Sequence, residues 1–199
     1  TMAEYGGPGG DVGVERFHGA IAGLKRAAPA YAKQQQGIAA ANKREFAAAR
    51  GLVREAVNIE PRESRFYGTL GEIELASEHP RDALGYLDKA TARDPGYFKP
   101  LALAGIAHYE LGDRAAAEPL LEKSMTLLPT APAAYYLGRV NEDRGNSAEA
   151  VRLYKMIAGS KSELGRDASA RLSRLGGAPD STTAAGADAA LAIRPKMDK

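Results

Sequence analysis

Cysteine and tryptophan are absent from this chain of 199 residues, and phenylalanine occurs four times. Without cysteine there is no disulfide framework and no thiolate metal site, so the composition fits the cytoplasm and an envelope compartment equally well. Three histidines, His18, His79 and His108, lie too far apart for zinc-ligand spacing. An excess of one charge is missing too: 27 Lys and Arg stand against 25 Asp and Glu, a net charge of +2. Phosphate backbones are held by concentrated basic surfaces, so nucleic acid is not the expected partner. No stretch approaches the roughly 18 to 20 apolar residues that a membrane-spanning helix needs. Residues 1–14 lack the apolar core of an export signal, and whether one lies upstream of Thr1 stays open. There is no nucleophile elbow, phosphate loop or dinucleotide fingerprint, and Gly6-Gly7-Pro8-Gly9-Gly10 has no strand before it. The expectation is a chain with no catalytic residue, no metal and no cofactor.

What the chain does have is alanine at helical spacing and a period. Gly37, Gly71, Gly105 and Gly138 lie 34, 34 and 33 residues apart. Ala49, Ala83, Ala117 and Ala150 follow them by 12 residues, and Pro61, Pro95 and Pro129 follow the first three alanines by another 12. Three markers in one register define a repeat of two helices. Gly and Ala belong where the paired helices cross, since a larger side chain would hold them apart. Proline ends the second helix, because it lacks the N–H and drives its predecessor out of the α region. Val53, Leu87, Leu121 and Tyr154, four residues after each alanine, are expected to fill the gap toward the neighbouring repeat. Between the paired helices, Leu111-Gly112-Asp113 and Arg144-Gly145-Asn146-Ser147 read as turns, with Asp113 and Ser147 as helix caps.

The pattern resembles the tetratricopeptide repeat (TPR). One copy reads Tyr67, Leu70, Gly71, Ala83, Leu87, Ala90, Pro95, and the next reads Leu101, Ala104, Gly105, Ala117, Leu121, Ser124, Pro129. The resemblance implies an all-α fold, an α-α superhelix of about four helix-turn-helix repeats at 30–63, 64–97, 98–130 and 131–163. Residues 1–13 read as a flexible Gly-rich linker and 177–199 as a disordered tail. Val14, Phe17, Ile21 and Leu24 give an amphipathic helix over 14–29, placed to cap repeat 1. A capping helix is expected over 164–176, with Leu164, Ala168, Leu172 and Leu175 on one face.

In such repeats the first helices line a concave groove. The TPR register places Tyr31, Gln34, Ile38 and Asn42 there from repeat 1, and Arg65, Glu72 and Leu75 from repeat 2. Repeat 3 would add Lys99, Ala102, Ile106 and Tyr109, and repeat 4 Tyr135, Arg139, Glu142 and Asp143. A wall with an apolar centre and charged rims suits a peptide or protein partner. Glu142 and Asp143, adjacent on a helix, read as a solvated surface rather than a catalytic pair. His79, in a helix–helix turn, and His108, on the first helix of repeat 3, read as structural or solvent-facing. Co-chaperone TPR domains grip a carboxy-terminal EEVD peptide with Lys, Asn, Asn, Lys and Arg. The matching positions here are Gln34, Ile38, Thr69, Lys99 and Leu103, of which Lys99 alone agrees.

Local strings narrow the resemblance further. Gly23-Leu24, Ala28-Pro29-Ala30-Tyr31, Leu127-Leu128-Pro129-Thr130-Ala131 and Tyr136-Leu137-Gly138 are similar to the TPR region of BepA-like periplasmic zinc metallopeptidases. That group joins an HExxH protease domain to a TPR array, and this chain has no HExxH. The resemblance implies a periplasmic substrate-recruiting part of such an enzyme, and it carries no catalytic residue over. The leading expectation is a non-enzymatic module that binds a protein or peptide. The zinc-peptidase part and self-association of the solenoid stand as alternatives, and the cytoplasm is the alternative location.

Overall fold

The computed structural model describes residues 27–176, and the expectations for 1–13, 14–26 and 177–199 lie outside the described residues. Among the described residues there are nine helices and no strand. Helix α1 covers 27–42 without a break at the expected boundary after residue 29. It is followed by α2 (Phe46–Ile59), α3 (Ser64–Ala76), α4 (Pro80–Arg93), α5 (Phe98–Glu110), α6 (Arg114–Leu127), α7 (Ala131–Asp143), α8 (Ser147–Lys155) and α9 (Glu163–Arg174). The expected capping helix is therefore present as α9, and the chain is all-α.

Local chemistry sets most helix ends. Helices α2, α4 and α6 stop two residues before Pro61, Pro95 and Pro129. The intervening Glu60, Asp94 and Leu128 take ψ of 81°, 90° and 114°, out of the helical region that a following proline ring disfavours. The side chains of Glu63, Asp113, Thr130 and Ser162 accept hydrogen bonds from N–H groups in the first turns of α3, α6, α7 and α9.

The turns within repeats share one geometry. Arg44, Glu78, Gly112 and Gly145 have φ of 64°, 66°, 88° and 80°, and they recur at the repeat intervals. After each, an N–H reaches back to the preceding helix: Glu45 to Ala40, His79 to Glu74, Asp113 to His108 and Asn146 to Asn141, all at 2.9 Å. This is the Schellman closure of a helix by a left-handed residue. It also corrects the expectation for Ser147. The cap is the residue directly after the left-handed one, so Asn146 holds it and Ser147 is the first residue of α8.

The repeat glycines pack against their own hairpins. A Cβ on Gly37 would stand 2.5 Å from Val53, and on Gly71, Gly105 and Gly138 it would stand 2.6 Å from Leu87, Leu121 and Tyr154. The large residues four after each alanine thus close over the glycine of the same repeat, not the gap to the next one as expected. The helical rise explains it: Ala83 and Leu87 share one face of α4, and that face is turned onto α3.

Among the described residues, the backbones of α3 and α5, α5 and α7, and α7 and α9 approach closely, whereas those of the successive second helices α2, α4, α6 and α8 stand farther apart, with Arg54 of α2 reaching the Tyr86 hydroxyl of α4 at 3.0 Å. Two rows with unequal spacing make a curved array, with the first helices on the inner, crowded side. Burial agrees. Helix α5 buries nine of its 13 residues, whereas α4 buries Ala83, Leu87 and Ala90 alone. Helix α9 packs on both α7 and α8, as each first helix packs on the two helices before it. Two residues past its last, Gly176 has a φ of 75°, as the residues at that place after α1, α3, α5 and α7 do, and Ala168 and Leu172 of α9 are both 0% exposed.

Candidate functional site

The inner wall is built from α1, α3, α5 and α7. Of the residues expected on it, Asn42 and Arg65 are exposed, and Tyr31, Ile38, Lys99 and Glu142 are half-buried. Gln34, Glu72, Leu75, Ile106, Tyr109, Tyr135 and Arg139 are buried. Ala102 is buried as well, and Asp143 is exposed. The crowding of the inner row accounts for this division, because side chains at the helix centres reach the adjacent first helix before they reach water.

Hydrogen bonds and ion pairs tie the first helices to neighbouring elements within and between repeats. The Tyr31 hydroxyl donates to Glu63 at 2.5 Å, and the Gln34 amide donates to the Thr69 hydroxyl at 2.8 Å. Lys99 pairs with Glu72 at 2.7 Å. The Tyr109 hydroxyl donates to Asp143 at 3.0 Å, and Arg114 donates to the same carboxylate at 2.9 Å. Guanidiniums of Arg114 and Arg139 stand 4.3 and 4.9 Å from the centre of the Tyr109 ring. Glu142 accepts from Tyr154 at 2.7 Å and from Arg171 at 3.0 Å. Glu142 and Asp143 are therefore each tied to a neighbouring helix, and neither is merely solvated as expected.

Burial, and then the bond to Asp167, pushes the Tyr135 phenol up to about 12. Tyr136 and Tyr154 are pushed far higher, first of all by burial. The Tyr136 hydroxyl has no hydrogen-bond partner among the described residues. Burial works to lower Arg171, but its bonds to Asp167 and Glu142 outweigh that and raise it. The phenols stay neutral and Arg171 stays charged through the physiological range.

Among the described residues no group of three His, Cys, Asp or Glu converges on a point. His79, the cap of α4, lies 3.9 Å from Glu74, and His108, in the last turn of α5, lies 3.6 Å from Asp113. His18 lies outside the described residues. No helix of the described residues is long and apolar enough to cross a membrane.

Glu63, Arg114 and Asp167, partners in these ties, escaped the reading of the sequence, and Thr69 entered it as a clamp position alone. A signal was present: Tyr31–Glu63, Gln34–Thr69, Tyr109–Asp143 and Tyr135–Asp167 are separated by 32, 35, 34 and 32 residues, close to the period itself.

No protein-family model and no curated protein matches the chain. Solved structures do. PilF of Pseudomonas aeruginosa superposes with a TM-score of 0.66 at 20% identity, over 76% of this chain and 69% of that one. The TPR domain of Sgt2 from Aspergillus fumigatus gives 0.56 at 20% identity, over 60% and 81%. MamA protein gives 0.56 at 19% identity, over 74% and 86%. The chain has the TPR fold. Within the TPR frame the clamp positions acquire a physical account. Gln34 and Thr69 are bonded to each other, and Lys99 is paired with Glu72, so these groups are engaged within the protein.

Proposed function

We propose that this chain is a non-catalytic interaction module that receives a peptide or protein segment along its inner wall. The observation that carries the reading is the curved row of first helices, with Tyr31, Ile38, Asn42, Arg65 and Lys99 accessible at its amino-terminal half. Aromatic, aliphatic, amide and cationic groups on one rigid surface favour an extended polypeptide with apolar and acidic side chains. Tyr109 and Tyr135 support the wall from behind, since both are buried and bonded to carboxylates.

The test therefore uses accessible positions. Ile38→Asp with Arg65→Glu is expected to abolish capture of a protein from an envelope or cytosolic extract, with the far-UV circular dichroism and melting temperature unchanged. Equal capture by the double variant would remove the inner wall from the function.

A second reading is a substrate-recruiting part of a periplasmic zinc peptidase. It is supported by the resemblance of the strings at 23–24, 28–31, 127–131 and 136–138, to which the structures above add nothing. Co-purification with an HExxH-bearing polypeptide from periplasm would favour it, and recovery in the cytoplasm alone would end it. Self-association is tested by sedimentation, where a mass independent of concentration excludes it.

A further inference from the structure

Tyr31, Arg65 and Lys99 hold one place in the register, 34 residues apart, on α1, α3 and α5. They form a row across the amino-terminal half of the inner wall. The acids beside this row are engaged. Glu72 pairs with Lys99 at 2.7 Å. One oxygen of Glu63 accepts from the Tyr31 hydroxyl at 2.5 Å, and the other accepts from the Arg65 backbone N–H at 3.1 Å. Glu60, just past α2, is likewise not free. Elsewhere on the first helices, Lys33 pairs with Glu55 at 2.7 Å and Glu74 with Arg50 at 2.9 Å, and Glu142 and Asp143 are tied as described above. Arg65 differs from all of these. It is exposed, and its guanidinium has no hydrogen bond or ion pair among the described residues. An aromatic ring stands on either side of it. Tyr31 is raised first by its bond to Glu63 and Tyr97 first by burial, and the charge of Arg65 acts against both shifts, so it lies within reach of both phenols. A Cβ on Gly68, one turn after Arg65, would meet the Tyr97 ring at 3.7 Å, which puts that ring on the same face of α3.

We propose that Arg65 is the anion-binding subsite of the wall, and that it receives the side-chain carboxylate of an Asp or Glu lying within the partner's extended segment. The inference rests on the reading proposed above. A guanidinium presents a planar fork of N–H donors that matches a carboxylate with two parallel hydrogen bonds. The protein's own neighbouring carboxylates are committed to other donors, so the incoming chain supplies the acid. An internal residue fits better than a chain end, because the wall continues past Arg65 on both sides, to Tyr31 and to Tyr97. The spacing follows from the stack. Packed helices stand roughly 8–10 Å apart, and an extended chain advances about 3.3 Å per residue. About three residues therefore separate the acid over α3 from an apolar side chain over Tyr31, and the same interval leads to a second one over Tyr97.

The full-length chain can be used to select from a random peptide library displayed on phage. Wild type is expected to enrich peptides with Asp or Glu about three residues from an apolar side chain. Arg65→Glu is expected to enrich Lys or Arg at that place instead. An enriched peptide, synthesised with both ends blocked, is then measured by fluorescence anisotropy. Replacing its acid by Ala, or the protein's Arg65→Gln, should each weaken binding about tenfold, and the two together no more than either alone. Arg65 is exposed, so circular dichroism should show the fold of Arg65→Gln unchanged. Enriched peptides without an acid, losses that add, or binding abolished by blocking the carboxy terminus overturn the proposal. Binding that Ile38→Asp weakens and Arg65→Gln leaves unchanged defeats this inference alone. Equal binding by both variants, or no enrichment by wild type, defeats the wall as the docking surface as well.

Discussion

The Tyr135 hydroxyl donates to Asp167 at 2.6 Å, and Arg171 donates to the same carboxylate at 2.6 Å, so α9 is locked onto α7 by one acid. Burial works to raise the Asp167 carboxyl, but the two hydrogen bonds prevail and hold it below 3.8. A depressed acid contributes stability above its unfolded value, and that contribution is lost as pH falls through the folded one. Acid melts followed by circular dichroism should show early loss of α9 helicity below about pH 4. Asp167→Asn should lower the neutral-pH melting temperature and flatten that acid limb.

The same contact has an alkaline limb of opposite origin. Tyr135 titrates near 10 when unfolded and near 12 in the fold, so the neutral phenol stabilises fully below pH 10. That stability, about 2–3 kcal/mol for a shift of this size, fades as pH rises from 10 toward 12. Tyr135→Phe should remove part of the dependence. The raised Tyr31, Tyr97, Tyr109, Tyr136 and Tyr154 contribute in the same direction. An unchanged alkaline melt in Tyr135→Phe would show that the contact does not operate.

Two glycines in adjacent helices should respond in opposite ways. Gly71 lies beneath Leu87, where a Cβ would come within 2.6 Å, while Gly85 has nothing within 4 Å. Gly71→Ala should destabilise by about 1–3 kcal/mol through overpacking. Gly85→Ala should stabilise by roughly 0.5–1 kcal/mol through helix propensity. Urea titration measures both, and the same sign for the two would contradict the packing described.

The left-handed turn positions make a further pair. Arg44 and Glu78 occupy φ of 64° and 66°, where the equivalent residues Gly112 and Gly145 carry no Cβ. Arg44→Gly and Glu78→Gly should each stabilise by up to about 1 kcal/mol, and Gly112→Ala should destabilise by a similar amount. A lower melting temperature for both glycine variants would refute this.

A peptide ending in EEVD should show no saturable binding in fluorescence anisotropy. Two clamp-equivalent groups, Gln34 and Thr69, are bonded to each other, and Lys99 is paired with a carboxylate. Micromolar binding that is lost in Lys99→Ala would contradict that reading.

The sequence alone determined the repeat, its period and the helix-breaking prolines, because those depend on what single residues permit: no N–H at Pro61, Pro95 and Pro129, no Cβ at Gly37, Gly71, Gly105 and Gly138. It also put its candidate wall residues on the first helices. Only the tertiary structure decided which of them remain accessible. Ile38 and Ile106 hold equivalent places in the register, yet one is half-buried and the other 0% exposed. Exposure depends on how closely neighbouring helices approach and what lies across them, which one repeat's spacing does not encode. The ties Gln34–Thr69 and Tyr135–Asp167 join residues 35 and 32 apart in the chain, and they form because stacking brings successive first helices side by side.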